Sequence, residues 1–243
     1  STPLYSSAAS DVYKRQKMDN RSWPAFILHS RAFKEQQLLL QLLVPELGRV
    51  SAVIRKSSSK KQQRLSLQPF QLLQLELLGR SELKTVSKAE EAGPAFLLQG
   101  EKLFGAMYLN ELICRLWPEN VGSDALFELY QQSLQQLLTE DLEPCLRQFE
   151  FSLLTELGQP VDWDYDSEGE ALQDGALYQW WPEQGWQIAG KGWKGEVLKA
   201  IGQQQWQQDD VLKTAKQLSR LLLAPLLGSK PLSSRALFQP VRN

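Results

Sequence analysis

The sequence has little of the chemistry that most catalytic sites need. It contains one histidine, His29, and two cysteines, Cys114 and Cys145, in 243 residues. A cysteine nucleophile usually needs a histidine as its base, and apart from His29 the sequence has no histidine for that role. There is no GxxxxGK[ST] loop for nucleotide phosphates and no GxGxxG after a strand. We therefore predict a protein that is not an enzyme and holds no cofactor.

Long apolar runs are also missing. The strongest run, Leu38 to Val44, is interrupted by Gln41 and is far shorter than the roughly 20 residues that span a bilayer. Residues 1 to 17 lack the apolar stretch of a secretory signal, and because Met18 follows them we interpret them as a disordered extension that is not native. These absences predict a soluble, cytoplasmic protein with reduced thiols and no membrane partner.

Charge is present but unevenly distributed along the chain. Residues 18 to 90 have a net charge of +6, whereas residues 91 to 243 have a net charge of −9. Six basic residues and no acidic one lie between Arg49 and Arg64. A basic segment joined to an acidic one favours a polyanion bound at one end of the molecule, with nucleic acid as the first candidate.

Residues 18 to 90 are predicted to form an OB-fold β-barrel. Turn signals at Pro45-Glu-Leu-Gly48 and Gly79-Arg80-Ser81 separate short apolar or β-branched runs. The predicted strands are Trp23 to His29, Leu38 to Val44, Arg49 to Arg55, Leu72 to Leu78 and Glu82 to Val86. A five-stranded barrel of this kind commonly binds oligonucleotides across one face.

From residue 91 the hydrophobic spacing becomes helical. Apolar residues recur at i, i+3, i+4 and i+7 from Leu109, and again from Leu126 after a cap at Ser123 or Asp124. A third helix begins near Pro144, and a last helix runs from about Asp210 to Leu223 and is closed by Pro225 and Gly228. The fold class is therefore α+β, with a helical domain over residues 91 to 243.

Residues 159 to 207 interrupt this helical pattern. They hold six of the eight tryptophans, and we predict a loop-rich insertion with a hairpin at Leu177 to Ile188. Alternate carboxylates from Asp162 to Glu170 offer oxygen ligands for Ca²⁺ or Mg²⁺. However, Ser167 and Gln173 stand where an EF-hand loop needs Gly and Glu. We predict no metal site, and a metal-dependent nuclease is the less favoured alternative function.

The basic segment is the best candidate for a binding site. It links predicted strands of the barrel, and Phe26, Phe33 and Phe70 offer aromatic rings on which bases can stack. The alternative partner is RNA or an acidic protein, bound by an OB-fold adaptor. The predicted DNA-binding residues are Arg31, Arg49, Arg55, Lys56, Lys60, Lys61, Arg64, Arg80 and Lys84.

An ordered series of motifs resembles the bacterial RecO family of recombination mediators. The barrel segment carries Ala25-Phe-Ile-Leu-His-Ser-Arg31, Gly48-Arg-Val50, Leu67-Gln-Pro-Phe70 and Gly79-Arg-Ser-Glu-Leu-Lys-Thr85. The helical segment carries Tyr108-Leu-Asn-Glu-Leu112, Leu146-Arg-Gln-Phe-Glu150 and Gly228-Ser-Lys-Pro-Leu-Ser-Ser-Arg235. The resemblance covers about residues 21 to 239.

The resemblance implies a protein of DNA recombination and DNA damage repair, acting in the bacterial nucleoid. Family members bind single- and double-stranded DNA, anneal complementary strands, contact the acidic tail of the single-strand-binding protein SSB, and work with RecR to load RecA. Many relatives have a four-cysteine zinc module after the Leu-Arg-x-Phe-Glu helix, but residues 159 to 207 contain no cysteine. A metal is therefore not expected here.

The resemblance also implies a site for the SSB tail. Arg147 matches a basic family position near that tail, and Leu146 and Phe149 are its apolar neighbours in the sequence. A tail that ends in acidic residues and an apolar residue with a free carboxylate needs a basic side chain beside a hydrophobic groove. The alternative is that Arg147 is paired within the helix to Glu143 or Glu150.

Overall fold

The computed structural model describes residues 21–55 and 67–238. Residues 1 to 17, predicted to be an extension, lie outside the described residues. Close contacts divide the chain into two units. One consists of residues up to Leu97 together with Asn110–Glu128, and the other of Leu98–Leu109 together with residues from Leu129 onward.

The first unit contains a closed barrel of five strands, which confirms the predicted OB-like fold. The strands are β1 (Ser22–Ala32), β2 (Gln37–Val44), β3 (Gly48–Arg55), β4 (Leu72–Leu78) and β5 (Leu83–Glu91). Their order around the barrel is β1-β2-β3-β5-β4. Only the β3–β5 pairing is parallel among these described strands.

The period-two pattern of the strands builds the barrel interior. In β3, Val50, Ala52 and Ile54 are buried while the residues between them face outward. They pack with Leu40, Leu42 and other apolar residues in one core. A register shift between Ile27 and His29 in β1 changes which residues of that strand face outward.

Backbone hydrogen bonds hold the loop at 117–123 against the barrel. Asn120 N donates to Arg49 O, and Ser123 N donates to Pro45 O, both at 2.9 Å. Glycine is required at Gly48, which has a φ of 72°, because a Cβ there would overlap the Val121 carbonyl. The contact fixes the loop against the β2–β3 turn and the start of β3.

Three helices follow the barrel in the sequence: α1 (Gly100–Leu116), α2 (Asp124–Thr139) and α3 (Leu142–Glu156). α1 starts earlier than the spacing from Leu109 predicts. Ser123 Oγ accepts a hydrogen bond from Leu126 N at 3.0 Å, so Ser123 is the cap of α2. Pro144 lies in the first turn of α3, where its missing N–H is not needed.

The region 159–207 has more regular structure than predicted. The predicted hairpin is present as β6 (Leu177–Trp181) and β7 (Gly185–Ile188), and β8 (Trp193–Lys194) and α4 (Gly195–Gly202) accompany it. Its core contains Tyr178, Trp186 and Leu198. Trp186 has the rings of Trp163, Trp180 and Trp193 around it, with centroids 5.0–6.4 Å away.

The last α-helix, α5 (Asp209–Leu227), is longer than predicted. Pro225 lies inside it and does not close it, and the helix continues for two further residues, to Leu227. The helix ends at Gly228, whose φ of 66° favours glycine. A 3₁₀ helix, Ser233–Phe238, completes the described chain.

None of the helices in the described ranges is long and apolar enough to span a bilayer.

Candidate functional site

A row of outward-facing residues crosses four strands of the barrel. Arg31 on β1 lies opposite Leu39 on β2, Leu39 lies opposite Val53 on β3, and Val53 lies beside Thr85 on β5. Leu40, the chain neighbour of Leu39, is buried in the barrel core. Because successive side chains alternate between the two faces, the row lies on the outside of the barrel. We call this surface the outer face.

Arg31 and Arg55 are the exposed basic residues of the outer face. Arg55 is two positions beyond Val53 on β3 and therefore shares its face. Its Nη2 donates to Gln36 Oε1 over a long 3.4 Å. The Arg31 side chain makes no hydrogen bond or ion pair with other residues in 21–55 and 67–238. Both guanidinium groups are exposed, and the only bond of either among the described residues is this long one to a neutral side chain, so both can contact a polyanion.

The remaining basic candidates have different surroundings. Arg80 is exposed in the β4–β5 turn, whereas Lys84 is half-buried and its Nζ donates to Gly79 O at 3.3 Å. Lys84 therefore helps to hold that turn as well as adding charge. Four further candidates lie outside the described residues: Lys56, Lys60, Lys61 and Arg64.

Arg49 is engaged within the barrel unit. Its Nε donates to Trp117 O at 2.9 Å, and its Nη1 donates to Gln41 Oε1 at 3.2 Å and to Glu119 Oε1 at 2.8 Å. The side chain is only 16% exposed. Its donors stabilise the 117–123 loop on the barrel, and we therefore leave Arg49 out of the candidate DNA surface.

The three phenylalanines considered as stacking platforms differ in their exposure. Phe26 is fully buried and packs on Phe127 with ring centroids 5.3 Å apart, and Phe70 is 7% exposed. Both therefore belong to the buried part of the unit, the more common place for phenylalanine, and neither offers a ring face on which a base can stack. Phe33 is exposed in the β1–β2 turn, with Lys34 Nζ 5.6 Å from its ring centroid.

The second unit contains a cation-lined cavity of about 340 Å³. Two of its apolar walls are Leu146 on α3 and Phe238 on the 3₁₀ helix, while the predicted neighbour Phe149 is fully buried. Its charged lining consists of four cations and two carboxylates: Arg147, Lys216, Arg220, Arg235, Glu143 and Glu150. The arrangement fits a small anionic group attached to an apolar one.

Arg147 lies in a buried polar network on one side of this cavity. Its Nη2 pairs with Glu150 Oε1 at 3.0 Å, and its Nη1 donates to Ser219 Oγ at 2.8 Å. Tyr108 OH donates to the same Glu150 oxygen at 2.5 Å. The arginine side chain is 5% exposed. The pairing with Glu150, which the sequence left as an alternative, is present.

Burial controls the ionisation of this network. Desolvation raises the pKa of Glu150 above its ordinary value, and the nearby Arg147 only partly opposes the change. Burial, followed by the charge of Glu150, also raises the pKa of the Tyr108 hydroxyl. Tyr108 is therefore protonated at neutral pH and can donate to Glu150.

Sequence reasoning missed three cations of the cavity, Lys216, Arg220 and Arg235. Lys216 and Arg220 are four residues apart on α5, a spacing that places both on one helix face. This spacing can be read from the sequence, but the net negative charge of residues 91–243 did not indicate a cationic site there. Arg235 is brought to the cavity only by the 3₁₀ helix, which the sequence pattern did not predict.

The acidic loop at 162–170 uses two carboxylates to hold its own backbone. Asp162 Oδ1 accepts from Asp164 N and Tyr165 N, and Asp166 Oδ1 accepts from Glu168 N and Glu170 N. The four distances are 2.9–3.0 Å. This pattern is typical of Asx turns, in which aspartate replaces a backbone acceptor.

Neither cysteine has the properties of a reactive thiol. Burial raises the pKa of Cys114 and of Cys145 to about 11. Neither cysteine forms a disulfide. Because their pKa values are raised, both thiols are protonated at neutral pH.

These features define a class of protein: an OB-like barrel with a basic outer face, followed in the chain by an α-helical region. Two family models match the sequence, one described as Recombination protein O N terminal over residues 18–94 and one as Recombination protein O C terminal over residues 97–236. Together they account for most of the chain.

Proteins named DNA repair protein RecO are similar to the chain over most of its length. The protein from Stutzerimonas stutzeri (strain A1501) is 43% identical over 224 residues, which cover 90% of this chain and 94% of that protein. The protein from Pseudoalteromonas translucida (strain TAC 125) is 38% identical, with 91% and 98% covered. That from Cellvibrio japonicus (strain Ueda107) is 41% identical, with 89% and 96% covered. The chain belongs to the RecO family and has a role in DNA repair and recombination.

Proposed function

We propose that the chain is a non-enzymatic recombination mediator of the bacterial cytoplasm, acting on nucleoid DNA. It binds single- and double-stranded DNA, anneals complementary strands and, with RecR, helps to load RecA onto SSB-coated single strands. The observation that carries the proposal is the pair of exposed arginines, Arg31 and Arg55, on the outer face of an OB-like barrel. Arg80 and Lys84 extend the basic surface toward the β4–β5 turn.

Annealing follows from the physics of such a surface. Two single strands repel each other through their phosphates, and cations on a protein surface lower that repulsion. Contacts to phosphate leave the base edges free to pair. No covalent bond is made or broken in this activity, so it needs neither a nucleophile nor a general base.

The proposed protein partner is the acidic tail of SSB, bound at the cavity of the second unit. The cavity combines cations with the apolar side chains of Leu146 and Phe238. A tail with acidic residues and an apolar end has both chemistries that such a lining can bind. RecR and RecA are partners that the family role implies, and we assign no surface to them.

Salt dependence tests the DNA surface. Each phosphate contact to a single strand contributes about 0.7 to the slope of log K against log salt. Arg31→Gln combined with Arg55→Gln removes two contacts, so the slope should become shallower by about 1.4. The measurement is fluorescence anisotropy of a labelled oligonucleotide over a range of salt concentrations.

The control pair is Lys191→Gln with Lys213→Gln, which removes the same charge from exposed positions of the second unit. It should leave the slope unchanged, whereas an unchanged slope for the Arg31 and Arg55 variant would contradict the proposal. Arg49→Gln should lower the free energy of unfolding by about 1–3 kcal/mol without changing the slope. Stronger competition by RNA or by an acidic peptide would favour the adaptor alternative.

A further inference from the structure

Strand β1 of the barrel contains one residue more than its pairing with β2 needs. Ile27 lies opposite Leu42, and His29 lies opposite Gln41, the chain neighbour of Leu42. Leu28 is therefore an extra residue without a partner in β2. Such an insertion is a β-bulge, which redirects the side chains that follow it.

The bulge decides the direction of Arg31. Because side chains alternate along a strand, one extra residue reverses the face of every residue after it. With the bulge, Arg31 lies opposite Leu39 on the outer face. Without it, Arg31 would lie opposite Leu38, which pairs with Ile54 and packs against the barrel core. The exposure of Arg31 therefore depends on the bulge.

The carbonyl of Leu28 is held from outside the sheet. β4 pairs with β1 only from Ser22 to Phe26, so neither neighbouring strand in the described part of the barrel pairs with Leu28. The residue is 3% exposed, which leaves little access for water. Asn110 on α1 supplies the partner, because its Nδ2 donates to Leu28 O at 2.9 Å. Asn110 belongs to the same unit as β1.

An asparagine is unexpected at this position of α1. Asn110 lies in the interior of the helix and is 5% exposed, and Leu109 and Leu112 beside it are buried as well. Asparagine is a weaker helix former than leucine, and a buried amide is unfavourable unless it is hydrogen-bonded. An apolar residue would suit both the helix and the burial, so the value of the amide lies in its hydrogen bonding.

We propose that Asn110 is a positioning residue for DNA binding. Its amide fixes the bulge at Leu28, and the bulge directs Arg31 to the outer face. Asn110 itself does not contact DNA. The inference rests on the proposed function, in which Arg31 contacts phosphate, and it adds a residue that acts through the backbone of β1.

Thiol labelling measures the direction of the β1 side chains without DNA. The full chain carries either Ser30→Cys or Arg31→Cys and is reacted with a maleimide. Ser30 is half-buried opposite the core residue Leu40, so the thiol at position 31 should react at least about 10-fold faster than the thiol at position 30. The native cysteines react slowly because burial raises their pKa values to about 11.

Asn110→Leu removes the donor and keeps a side chain of similar length. In this variant the bulge loses its anchor, so the two labelling rates should become nearly equal or reverse their order. Asn110→Ala is a second variant that adds no bulk to the site, and the same pattern is expected from it.

DNA binding gives the second readout, from the same anisotropy measurements over a range of salt concentrations. In the unmodified chain, Arg31→Gln should make the slope of log K against log salt shallower by about 0.7. In the Asn110→Leu chain the same change should alter the slope by less than about half of that value. Arg55→Gln should keep its full effect in both chains, because Arg55 lies on β3.

Gln71→Leu is the matched control. Gln71 is also a buried amide of the first unit, and its Nε2 donates to Gly93 O at 2.5 Å and to Leu72 O at 3.1 Å. These carbonyls lie outside β1. The control should lower stability to chemical denaturation without changing the labelling ratio or the effect of Arg31→Gln.

The outcomes distinguish this inference from the proposed function. If Arg31→Gln leaves the slope unchanged in the unmodified chain, the proposed DNA contact is overturned, and this inference with it. If Arg31→Gln has its full effect in the Asn110 variants, or if their labelling ratio is unchanged, only this inference is overturned. Equal changes with Gln71→Leu would also overturn it, because general loss of stability would then explain the result.

Discussion

At the scale of single residues, burial and existing partners decide what each arginine can do. Arg49 and Arg147 are both largely buried, and the terminal nitrogens Nη1 of Arg49 and Nη1 and Nη2 of Arg147 are bonded to groups within their own units. Arg31 and Arg220 are exposed and available. The sequence presents all four as equivalent cations, and only the fold separates structural from binding roles.

Glu150 gives a residue-scale prediction about pH. Its pKa is raised above its ordinary value of 4.5 because of burial, so the folded state holds its proton at pH values where the unfolded state has lost it. The stabilisation is complete below pH 4.5 and is lost as pH rises through the folded-state pKa. Glu150→Gln removes this dependence.

The free energy of unfolding of the unmodified chain, minus that of Glu150→Gln, should therefore decrease as pH rises from about 4 to 7. Urea denaturation at several pH values measures the difference, and the other titrating groups cancel because both proteins share them. A difference that grows with pH would mean that attraction to Arg147 outweighs desolvation.

At the scale of elements, the sequence predicted the strands well because each is a short apolar run between turn signals. Predictions failed where tertiary contacts outweigh local pattern. The α4 helix is short and follows a two-residue strand, so its periodicity covers only about two turns. Pro225 indicated a helix end, but α5 continues to Leu227.

The candidate site was less predictable than the fold for the same reason. The exposed positions of Arg31 and Arg55 follow from strand alternation once the barrel is assumed. The bonds of Arg49 to Trp117 and Glu119 join positions 68 and 70 residues apart, and no local pattern contains them. Arg235 likewise joins Arg220 at one cavity only through tertiary structure.

The contact between the β2–β3 turn and the 117–123 loop gives an element-scale prediction. A Cβ at Gly48 would overlap the Val121 carbonyl, and one at Gly122 would overlap the Glu46 carbonyl. Gly48→Ala and Gly122→Ala should each lower the free energy of unfolding by about 1–3 kcal/mol, because backbone atoms must move to admit the methyl group.

Gly93→Ala is the matched control for these two variants. A Cβ at Gly93 meets nothing within 4 Å, and its φ is not positive. Its effect on chemical denaturation should be small or slightly stabilising. Equal effects for all three alanine variants would show that chain entropy, not the close backbone approach, determines the result.

At the scale of the whole molecule, net charge conceals the arrangement of binding surfaces. Residues 91 to 243 carry a net −9, yet this region includes a cavity lined by four cations and two carboxylates. The outer face of the barrel and this cavity belong to separate units with different chemistry: one is suited to a repeating polyanion, the other to a single acidic end. The proposed mediator function uses both surfaces, because a mediator would bind the strands and also recognise the protein that coats them.

Substitutions on the two surfaces should therefore slow annealing in different assays. Arg31→Gln with Arg55→Gln should slow annealing of both bare and SSB-coated complementary strands, because phosphate neutralisation is needed in each case. Arg220→Gln with Arg235→Gln should slow annealing only of the SSB-coated strands. Fluorescence quenching between labelled strands measures both rates, and SSB lacking its acidic tail should remove the difference between the second variant and the unmodified chain. If the second variant slowed annealing of bare strands as well, the cavity arginines would belong to the DNA surface, and the division of labour between the units would be wrong.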